Sequence, residues 1–390
     1  MRKKKVLIVA SVASFIYTFN RDNVWFLSKT RNCELHIACN FSYTINTDGN
    51  VIEKFVKELK SEGVHVHDIP FARSPFSMQN VSNYKLLKKI IEENSFDLIH
   101  VHTPTVSILT RLAARKAHRE GTIVMYTCHG FHFHKASPKK NWLMYYPMEK
   151  IMSRFCDYIV TINKEDYKRA SNFSAPNVRY IPGVGVDLKR ISDCIIDRDL
   201  YKQNLGIPSD GVLILSVGEM IVRKNHEVII KAMSHLKNPS IYYAICGRGP
   251  LKEYLQKIAI DGGVKDNVLF LGYRHDIPEL YKTADIGALP SLIEGLGLAG
   301  IESLAAGTPL ISSNVHGILD YVFDGKNGFA CPPHDVDAFA TAIKKLASSK
   351  ELRDSMRHAC IEAVKPFEKQ HALEVMWSIY DEALAKSKRI

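Results

Sequence analysis

Short apolar runs alternate with longer stretches of helical periodicity along the whole chain. In the first half the apolar runs lie too far apart to form hairpins, and segments with a helical pattern, such as 51–60 and 106–117, fall between them. This alternation is typical of a parallel sheet with helices on both faces. The strands predicted from it cover residues 6–10, 35–39, 97–101, 122–127 and 157–161.

The same pattern begins again in the second half. The proline- and glycine-rich run Ile181-Pro-Gly-Val-Gly-Val-Asp187 is followed by a polar stretch that continues to Asp210. A run rich in proline and glycine indicates a loop, and we therefore place a domain boundary near residue 186. Two consecutive open α/β sheets bind ligands at the carboxyl ends of their strands, so we expect a cleft between two domains. The second series of predicted strands covers residues 212–217, 241–246, 268–271, 285–289 and 309–312.

The C-terminal segment has the periodicity of one amphipathic helix. A helix that packs on the second domain explains its apolar stripe, and a helix that crosses back to the first domain explains it equally well. The domains predicted from the sequence are 1–186, 187–365 and a helical segment 366–390. The stripe consists of Leu373, Met376, Trp377, Tyr380 and Leu384.

Composition and charge narrow the class of protein. The chain has 390 residues, of which 46% are hydrophobic and 24% charged, and this excludes disordered, collagen-like and coiled-coil chains. The formal net charge of +11 favours an anionic partner, such as a nucleotide, a nucleic acid or an acidic lipid surface. We expect no nucleic-acid partner, because no helix-turn-helix or zinc module accompanies the charge. The eight cysteines include no CxxC pair, which is typical of a reducing compartment.

The N-terminal residues allow two interpretations. Basic residues 2–5 precede a stretch without charge that ends at Arg21, as in a secretory signal. The alternative is a buried first strand that leads into a serine-containing loop, and we favour it because the rest of the chain has a cytosolic character. No apolar stretch approaches the roughly 20 residues needed to span a bilayer. We therefore expect a cytoplasmic protein.

The strongest chemical signal lies in residues 285–309. A predicted strand is followed by a loop with Gly295 and Gly297, and a helix begins there. The glycines allow close backbone approach, and the first N–H groups of a helix bind anions, so this loop suits a diphosphate. Glu294 precedes the anion site and Glu302 lies about 10 Å further along, within the helix. Carboxylates at both ends suit a ligand that has a sugar, a diphosphate and a ribose.

The same segment also matches a dinucleotide fingerprint. It contains Gly295-x-Gly297-x-x-Gly300, and Asp320 lies where a ribose-binding acid is expected. A single match of this kind has low specificity, and it falls in a late βα unit of the second sheet. Glu294 would also face a pyrophosphate, which needs hydrogen-bond donors. A nicotinamide cofactor is therefore the less favoured interpretation.

The pattern Pro290-Ser-x2-Glu294-Gly-x-Gly-Leu-x3-Glu302 resembles the Glu-x7-Glu motif of retaining glycosyltransferases of family 4. The resemblance implies the GT-B fold of the α/β class, in which two Rossmann-like domains face a central cleft and a C-terminal helix crosses back to the first domain. The chain is most similar to bacterial capsule and exopolysaccharide transferases. Six shorter pieces of the family pattern occur in the expected order, at residues 97–104, 127–131, 181–187, 216–226, 246–250 and 324–329.

The resemblance implies a role for each candidate residue. Glu294 is expected to bind hydroxyls of the donor sugar and Glu302 the ribose hydroxyls, since a carboxylate accepts two such hydrogen bonds. Arg223 and Lys224 are expected to face the diphosphate, where negative charge develops as the bond to the sugar breaks. His129 is expected to contact the donor sugar. The predicted catalytic residues are Glu294, His129 and Lys224, and the predicted donor-binding residues are Arg223, Lys224, Gly249, Glu294, Gly295, Gly297, Leu298 and Glu302.

One residue departs from the family pattern. Many members carry arginine where this chain has Glu219, five residues before Lys224, which puts the usual clamp of two cations in doubt. Arg223 is the candidate substitute. Without the resemblance, Glu302 would be an ordinary exposed helix residue, and Arg223 and Lys224 would be a solvated basic pair.

We expect neither a metal nor a cofactor in the reaction. His100, His102, His132 and His134 match no standard zinc spacing, so we interpret them as a polar cleft wall. The Asp-x-Asp matches at 197–199 and 335–337 follow no buried strand and are expected to be turns. Double displacement requires two carboxylates about 5 Å apart, and Glu294 and Glu302, about 10 Å apart, are too distant. The resemblance implies instead front-face attack, in which a phosphate oxygen of the donor accepts the proton of the acceptor.

The expected activity is that of a retaining hexosyltransferase. It would move a hexose or N-acetylhexosamine from a nucleoside-diphosphate sugar, most simply UDP-linked, to a glycan or a polyprenyl-diphosphate-linked saccharide in cell-surface polysaccharide biosynthesis. The alternatives are a catalytically weak sugar-nucleotide-binding module and a GT-B enzyme that acts on a small-molecule acceptor. A glycogen-phosphorylase-like or phosphate-releasing enzyme is a further rival.

A cluster of positive charge in the first domain predicts peripheral binding to the inner face of the cell membrane. Basic residues next to aromatic ones suit anionic headgroups, although a solvated basic face explains the cluster almost as well. The residues are Arg111, Arg115, Lys116 and Arg119 on one predicted helix, then Lys135, Lys139 and Lys140, followed by Trp142, Tyr145 and Tyr146.

Overall fold

The computed structural model describes residues 2–42, 49–72 and 77–388. The chain divides into two compact units, of which the first is Met1–Val184 together with Gln370–Ile390 and the second is Gly185–Lys369. The sequence places the domain boundaries at 186 and 365. Among the helices described, none combines the length and the apolar composition that a bilayer crossing requires.

The first unit is built on a parallel sheet. Its strands are β1 (Lys5–Val12), β2 (Glu34–Asn40), β3 (His65–Asp68), β4 (Leu98–His102), β5 (Ile123–Cys128), β6 (Tyr158–Thr161) and β7 (Asn177–Tyr180). They lie in the order β3-β2-β1-β4-β5-β6-β7. Residues 6–10 of β1 have no exposed surface, as expected of a strand covered on both faces. This agrees with the strand interpretation of the N-terminal residues.

The helices of the first unit cover both faces of this sheet. The predicted helix 106–117 is in fact two helices, because the backbone at Ala114 (ψ −5°) interrupts the helical run. A π-helical turn, Phe26–Thr30, follows the second helix. The α-helices are α1 (Ala13–Phe19), α2 (Arg21–Trp25), α3 (Gly49–Ser61), α4 (Gln79–Asn94), α5 (Pro104–Ala113), α6 (Arg115–Arg119), α7 (Lys139–Met152) and α8 (Lys164–Ala170).

The second unit repeats the architecture with a smaller parallel sheet. Its helices are α9 (Leu188–Ser192), α10 (Arg198–Asn204), α11 (His226–Leu236), α12 (Lys252–Asp261), α13 (Ile277–Thr283), α14 (Leu298–Ala305), α15 (Val336–Ser348) and α16 (Lys350–Val364). Its strands are β8 (Val212–Val217), β9 (Ile241–Cys246), β10 (Val268–Gly272), β11 (Ile286–Leu289), β12 (Leu310–Ser313) and β13 (Gly328–Cys331). They lie in the order β10-β9-β8-β11-β12-β13.

In each sheet the order in which successive strands are added reverses at one point. In the first unit β1 pairs with both β2 and β4, and in the second β8 pairs with both β9 and β11. Two loops diverge at such a switch point and leave a crevice at the carboxyl ends of the strands, where α/β folds bind ligands. The α/β class with two Rossmann-like sheets, predicted from the sequence, is confirmed.

The last helix, α17 (Lys369–Lys386), packs on the first unit. The Trp377 ring stacks on Phe26 with ring centroids 4.6 Å apart. The buried hydroxyl of Tyr380 lies 2.7 Å from Nδ1 of His100, and Asp381 forms an ion pair with Arg31. The helix therefore crosses back to the first unit, as the family resemblance implies. Residues 389–390 of the predicted segment lie outside the described residues.

Candidate active site

The loop between β11 and α14 is shaped by its glycines. Gly297 has a φ of +81°, a left-handed conformation that glycine adopts without strain, and it directly precedes the helix. A Cβ on Gly317 would lie 2.0 Å from the carbonyl oxygen of Gly295, so the two chain segments are in close contact. The Tyr321 hydroxyl lies 2.9 Å from the carbonyl oxygens of both Leu296 and Gly297. This support fixes the backbone where the first N–H groups of α14 begin.

Glu294 is the charged centre of this loop. Its Oε1 accepts hydrogen bonds from Lys224 Nζ at 2.6 Å and from Ser291 Oγ at 2.9 Å. Arg223 Nη1 lies 3.1 Å from the same oxygen. The Glu294 side chain is almost buried, and the Lys224 side chain is only 14% exposed. Two cations and one hydroxyl therefore converge on one carboxylate oxygen.

These contacts decide the ionisation of Glu294. Burial by itself would raise the pKa of this carboxyl, but the charges of Lys224 and Arg223 and the hydrogen bonds from Lys224 and Ser291 lower it overall. The carboxylate is therefore ionised at neutral pH and remains a hydrogen-bond acceptor.

The two cations are positioned by the loop that follows β8. Asn225, with a φ of +53°, ends the 3-10 turn Val222–Lys224. Its side-chain amide donates to the carbonyl oxygen of Pro290 at 3.0 Å, and the Leu292 N–H donates to the carbonyl oxygen of Arg223 at 2.8 Å. Because β8 and β11 are neighbours at the switch point, these bonds tie the cation loop directly to the Glu294 loop.

Glu219 lies earlier in the same loop and adds no positive charge. Its carbonyl oxygen is 3.2 Å from Nε2 of His226, which is buried within α11. Arg223 and Lys224 are the cations that contact Glu294. The structure thus places a second basic residue beside Lys224 despite the departure at Glu219.

Glu302 lies one and a half turns into α14 and differs from Glu294 in its surroundings. The Tyr281 hydroxyl donates to its Oε2 at 3.2 Å. Burial raises the pKa of Glu302, and the Tyr281 hydrogen bond and the charge of Arg190 oppose this rise only in part. Glu302 is therefore a partly buried carboxylate and not an ordinary exposed helix residue.

Gly249 lies in the loop after β9, which packs on the β8 loop. A Cβ at this position would lie 2.4 Å from the carbonyl oxygen of Met220, and the Met220 N–H donates to the carbonyl oxygen of Arg248 at 3.0 Å. Glycine is required for this close approach. The loops after β8, β9 and β11 are thus all held by backbone contacts.

His129 belongs to the first unit, where it follows β5. Its Nε2 lies 3.1 Å from Nδ1 of His102, and the ring of Phe15 packs edge-on against it with ring centroids 4.9 Å apart. Burial lowers the pKa of His129 to about 4, so the imidazole is neutral at pH 7. His102 in turn contacts Asn20. His129, His102 and Asn20 line part of one cavity, together with Gly183 and Met376.

Within the part of the chain that the structure describes, His100, His102, His132 and His134 are not a group with metal-ligand geometry. His100 is held by Thr127 and Tyr380, His132 is exposed, and His134 is buried. Among the residues that the structure describes, the group with metal-ligand geometry is Glu34, His36 and His65. The interpretation of His100 and His102 as parts of a polar wall fits their hydrogen bonds.

The two Asp-x-Asp matches are helix caps. Asp197 accepts hydrogen bonds from the N–H groups of Asp199 and Leu200 at the start of α10, and Asp335 accepts one from Ala338 at the start of α15. Capping satisfies N–H groups that have no partner within the helix. These carboxylates therefore have structural roles.

The structure brings most predicted donor-site residues together in the second unit. Arg223, Lys224 and Glu294 are in direct contact, and Gly295, Gly297 and Leu298 continue the same loop into the helix that carries Glu302. Gly249 is linked through the β8 loop, whereas His129 lies in the first unit. Sequence reasoning missed the supporting residues Ser291, Tyr281 and Tyr321. Of these, only Ser291 lies within a motif that drew attention.

Comparison with known proteins is consistent with this site. The family model described as "Glycosyl transferases group 1" matches residues 197–363, and "Glycosyl transferase 4-like" matches residues 5–163. The "Putative glycosyltransferase EpsD" of Bacillus subtilis is 36% identical over 383 residues, which are 97% of this chain and 96% of that protein. The chain belongs to the glycosyltransferases. The resemblance to family 4 found in the sequence is confirmed.

Two further glycosyltransferases help to place the chain. An Escherichia coli "UDP-Gal:alpha-D-GlcNAc-diphosphoundecaprenol alpha-1,3-galactosyltransferase" is 31% identical over 280 residues, covering 70% of each chain. A crystal structure of Anabaena Alr3699/HepE in complex with UDP and glucose superposes with a TM-score of 0.75. It is 17% identical and covers 98% of this chain and 100% of that chain, so it shows the shared GT-B fold.

The ion pairs at Glu294 predict unequal effects of removing the two cations. Lys224→Met should lower the free energy of unfolding at pH 7 by about 3–5 kcal/mol, because it leaves a buried carboxylate short of its closest partner. Arg223→Met should cost under about 1 kcal/mol, since Arg223 is 41% exposed. Chemical denaturation of each variant beside the native chain measures both values.

The loss in Lys224→Met should depend on pH. In the native chain the pKa of Glu294 is below its ordinary value of 4.5, so the charge of Glu294 stabilises the fold above that value and the contribution disappears as the pH falls through the folded-state pKa. The difference between the native chain and Lys224→Met should therefore shrink as the pH falls from 7 through the folded-state pKa of Glu294, which lies below 4.5. Equal losses in the two variants, or a loss that does not change with pH, would contradict this assignment.

Proposed function

We propose that this glycosyltransferase transfers a hexose or N-acetylhexosamine from a UDP-linked sugar, with retention of anomeric configuration and without a metal. The acceptor is a lipid-linked saccharide in cell-surface polysaccharide biosynthesis. The observation that carries the proposal is the contact of Arg223 and Lys224 with Glu294 directly before the glycine-supported start of α14. That arrangement offers acceptors for sugar hydroxyls and cations for a diphosphate in adjacent positions.

The donor site follows from the chemistry of these groups. The N–H groups at the start of α14 and the side chains of Lys224 and Arg223 attract the diphosphate. Glu294 is ionised and accepts sugar hydroxyls, and Glu302 accepts ribose hydroxyls further along the helix. The HepE structure with UDP and glucose supports a donor of this class, because its fold is shared over nearly the whole chain.

The reaction would use the donor's own phosphate as the base. The bond between the anomeric carbon and the phosphate oxygen breaks, the acceptor oxygen bonds to the same face of that carbon, and the acceptor proton moves to the departing phosphate oxygen. Lys224 and Arg223 stabilise the charge that develops on the diphosphate. In this mechanism Glu294 is not the nucleophile, and the contacts of its Oε1 with Lys224, Ser291 and Arg223 hold the carboxylate in place. Its role is to orient the sugar.

His129 would form the neutral part of the sugar site. Burial keeps its imidazole uncharged, and the contact with His102 holds one of its ring nitrogens. The other ring nitrogen of the neutral imidazole can donate or accept one hydrogen bond, according to the tautomer. This suits recognition of a sugar hydroxyl more than binding of a phosphate.

The acceptor is assigned to lipid-linked saccharides on two grounds. The Escherichia coli relative has a name that specifies a diphosphoundecaprenol acceptor. In this chain, α7 also presents apolar side chains to solvent: Leu143 is 83% exposed, Met144 44% and Ile151 55%. Lysines 139, 140 and 150 lie on the same helix and are exposed. An amphipathic helix of this kind suits the surface of an anionic membrane.

The structure corrects the residues assigned to the membrane face. Arg111 is fully buried and forms an ion pair with Glu149 at 2.8 Å, so it cannot reach a headgroup. Trp142, Tyr145 and Tyr146 pack against the core of the first unit. Arg115, Lys116 and Arg119 remain exposed, on α6. The apolar part of the proposed surface is therefore Leu143, Met144 and Ile151 and not the aromatic residues.

The ribose assignment predicts a loss of UDP affinity in Glu302→Ala. The expected loss is about 1–3 kcal/mol, or roughly 5- to 150-fold, because hydrogen bonds to a charged group are removed. Isothermal titration with UDP measures it, and Glu351→Ala, which changes an exposed glutamate on α16, is the control. An unchanged UDP affinity in Glu302→Ala would refute the ribose role.

The proposed reaction predicts activity without divalent ions. Turnover of the UDP-sugar with a lipid-linked saccharide should persist in EDTA, and the anomeric proton signal of the product should show the configuration of the donor. Lys224→Ala should lose turnover under the same conditions, which separates an enzyme from a sugar-nucleotide-binding module. An inverted product, or activity that EDTA abolishes, is incompatible with the mechanism.

Membrane binding through α7 predicts co-sedimentation with anionic vesicles at low salt. Each exposed lysine near an anionic surface contributes about 1 kcal/mol, so binding should fall steeply at high salt. Ile151→Ser should weaken it, whereas Ile260→Ser, at an equally exposed isoleucine of α12 in the second unit (56%), should not. Equal binding to neutral and anionic vesicles, or equal effects of both substitutions, would show that α7 has no such role.

A further inference from the structure

Four polar side chains share one face at the edge of the first sheet. Glu34 and His36 are two residues apart on β2, and His65 and His67 are two residues apart on β3. Residues two apart on a strand point to the same face. His36 is the register partner of His65 in the parallel pair, so both sets lie on the same side.

The side chains are close enough to act together. One ligand atom from each of Glu34, His36 and His65 lies within 4.8 Å of the others. His36 Nε2 is 3.2 Å from Oε1 of Glu34, and the rings of His36 and His65 lie with centroids 4.3 Å apart. His36 itself is 3% exposed and packs edge-on against Phe96, so its ring is held in place.

We propose that Glu34, His36 and His65 bind a divalent transition-metal ion of the zinc type. Two imidazoles and a carboxylate are ligands that Zn²⁺ and its neighbours accept, with a fourth position left for water. Bonds of about 2.1 Å in a tetrahedral site place ligand atoms roughly 3.4 Å apart. The exposed side chain of His65 can close the remaining distance by rotation, while His36 stays fixed.

His67 supports the site through a contact with His36 and does not itself bind the ion. Its Nε2 lies 2.9 Å from Nδ1 of His36, the nitrogen that faces away from Glu34. A ligating histidine commonly donates its second N–H to such a partner, which fixes the tautomer and the ring orientation. With Nδ1 of His36 protonated toward His67, Nε2 is free of hydrogen and can bind the ion.

Lys5 competes with the ion for Glu34. Its Nζ lies 2.8 Å from Oε1 of Glu34, the same oxygen that faces His36. Metal binding must displace or share this contact, so Lys5 sets the affinity of the site. The bound ion would join β3, a four-residue edge strand, to β2.

The site is separate from the proposed transfer reaction. His36 and His65 lie toward the amino-terminal ends of their strands, whereas His129 follows the carboxyl-terminal end of β5. In a parallel sheet the amino-terminal and carboxyl-terminal ends of the strands lie on opposite sides of the sheet. The ion is thus assigned a stabilising role, and the proposal does not depend on the donor or the acceptor.

The test is a titration of the untagged, metal-free full-length chain with Zn²⁺ by calorimetry, and with Co²⁺ by visible absorption. The native chain should bind one equivalent tightly with a tetrahedral Co²⁺ spectrum. His65→Ala and Glu34→Gln should weaken that equivalent at least tenfold, and His67→Ala about tenfold. Lys5→Met should tighten it. His358→Ala, at an exposed histidine of the second unit, is the control for the other histidines.

Thermal melting provides a second measurement. Zn²⁺ should raise the melting temperature of the native chain and of His358→Ala, but not that of His65→Ala, because only a ligand bound to the folded state stabilises it. His65 is exposed, so its replacement leaves the core intact. Identical isotherms for the native chain and His65→Ala, or an equal loss in His358→Ala, would overturn the proposal.

Discussion

The candidate active site depends on the neutralisation of one buried carboxylate. Burial alone would raise the pKa of Glu294, and the charges of Lys224 and Arg223 and the hydrogen bonds from Lys224 and Ser291 lower it overall. The same two cations are the groups that a diphosphate would need. In the proposed reaction this one cluster would both keep a sugar-binding carboxylate ionised and hold positive charge beside the leaving group.

The order of the strands in the second sheet brings the residues of this cluster together. β8 and β11 are neighbours although α11, β9, α12, β10 and α13 lie between them in the chain, and their loops meet at the switch point of the sheet. The bonds from Asn225 to Pro290 and from Leu292 to Arg223 then lock the two loops together. Gly249 in turn lets the loop after β9 approach the backbone of Met220 in the loop after β8.

The sequence predicted the buried strands and the charged motif but not the partly exposed elements or the supporting contacts. Strands β3 and β7 are half-exposed and lack a continuous apolar run, so periodicity could not reveal them. Arg111 looked like part of a solvated basic face because sequence shows spacing and not burial, whereas Glu149, its partner, lies 38 residues away. Tyr281 and Tyr321 are likewise far in sequence from Glu302 and Leu296, which they contact, so only the fold shows that they support the site.

The candidate site residues of the two units differ in charge. In the second unit the functional groups are charged, and their geometry is set by ion pairs that anionic groups of a ligand can share. In the first unit His100, His102 and His129 are kept neutral by burial and are linked to Thr127, Asn20 and one another. A wall of neutral imidazoles offers directional hydrogen bonds without attracting a second phosphate.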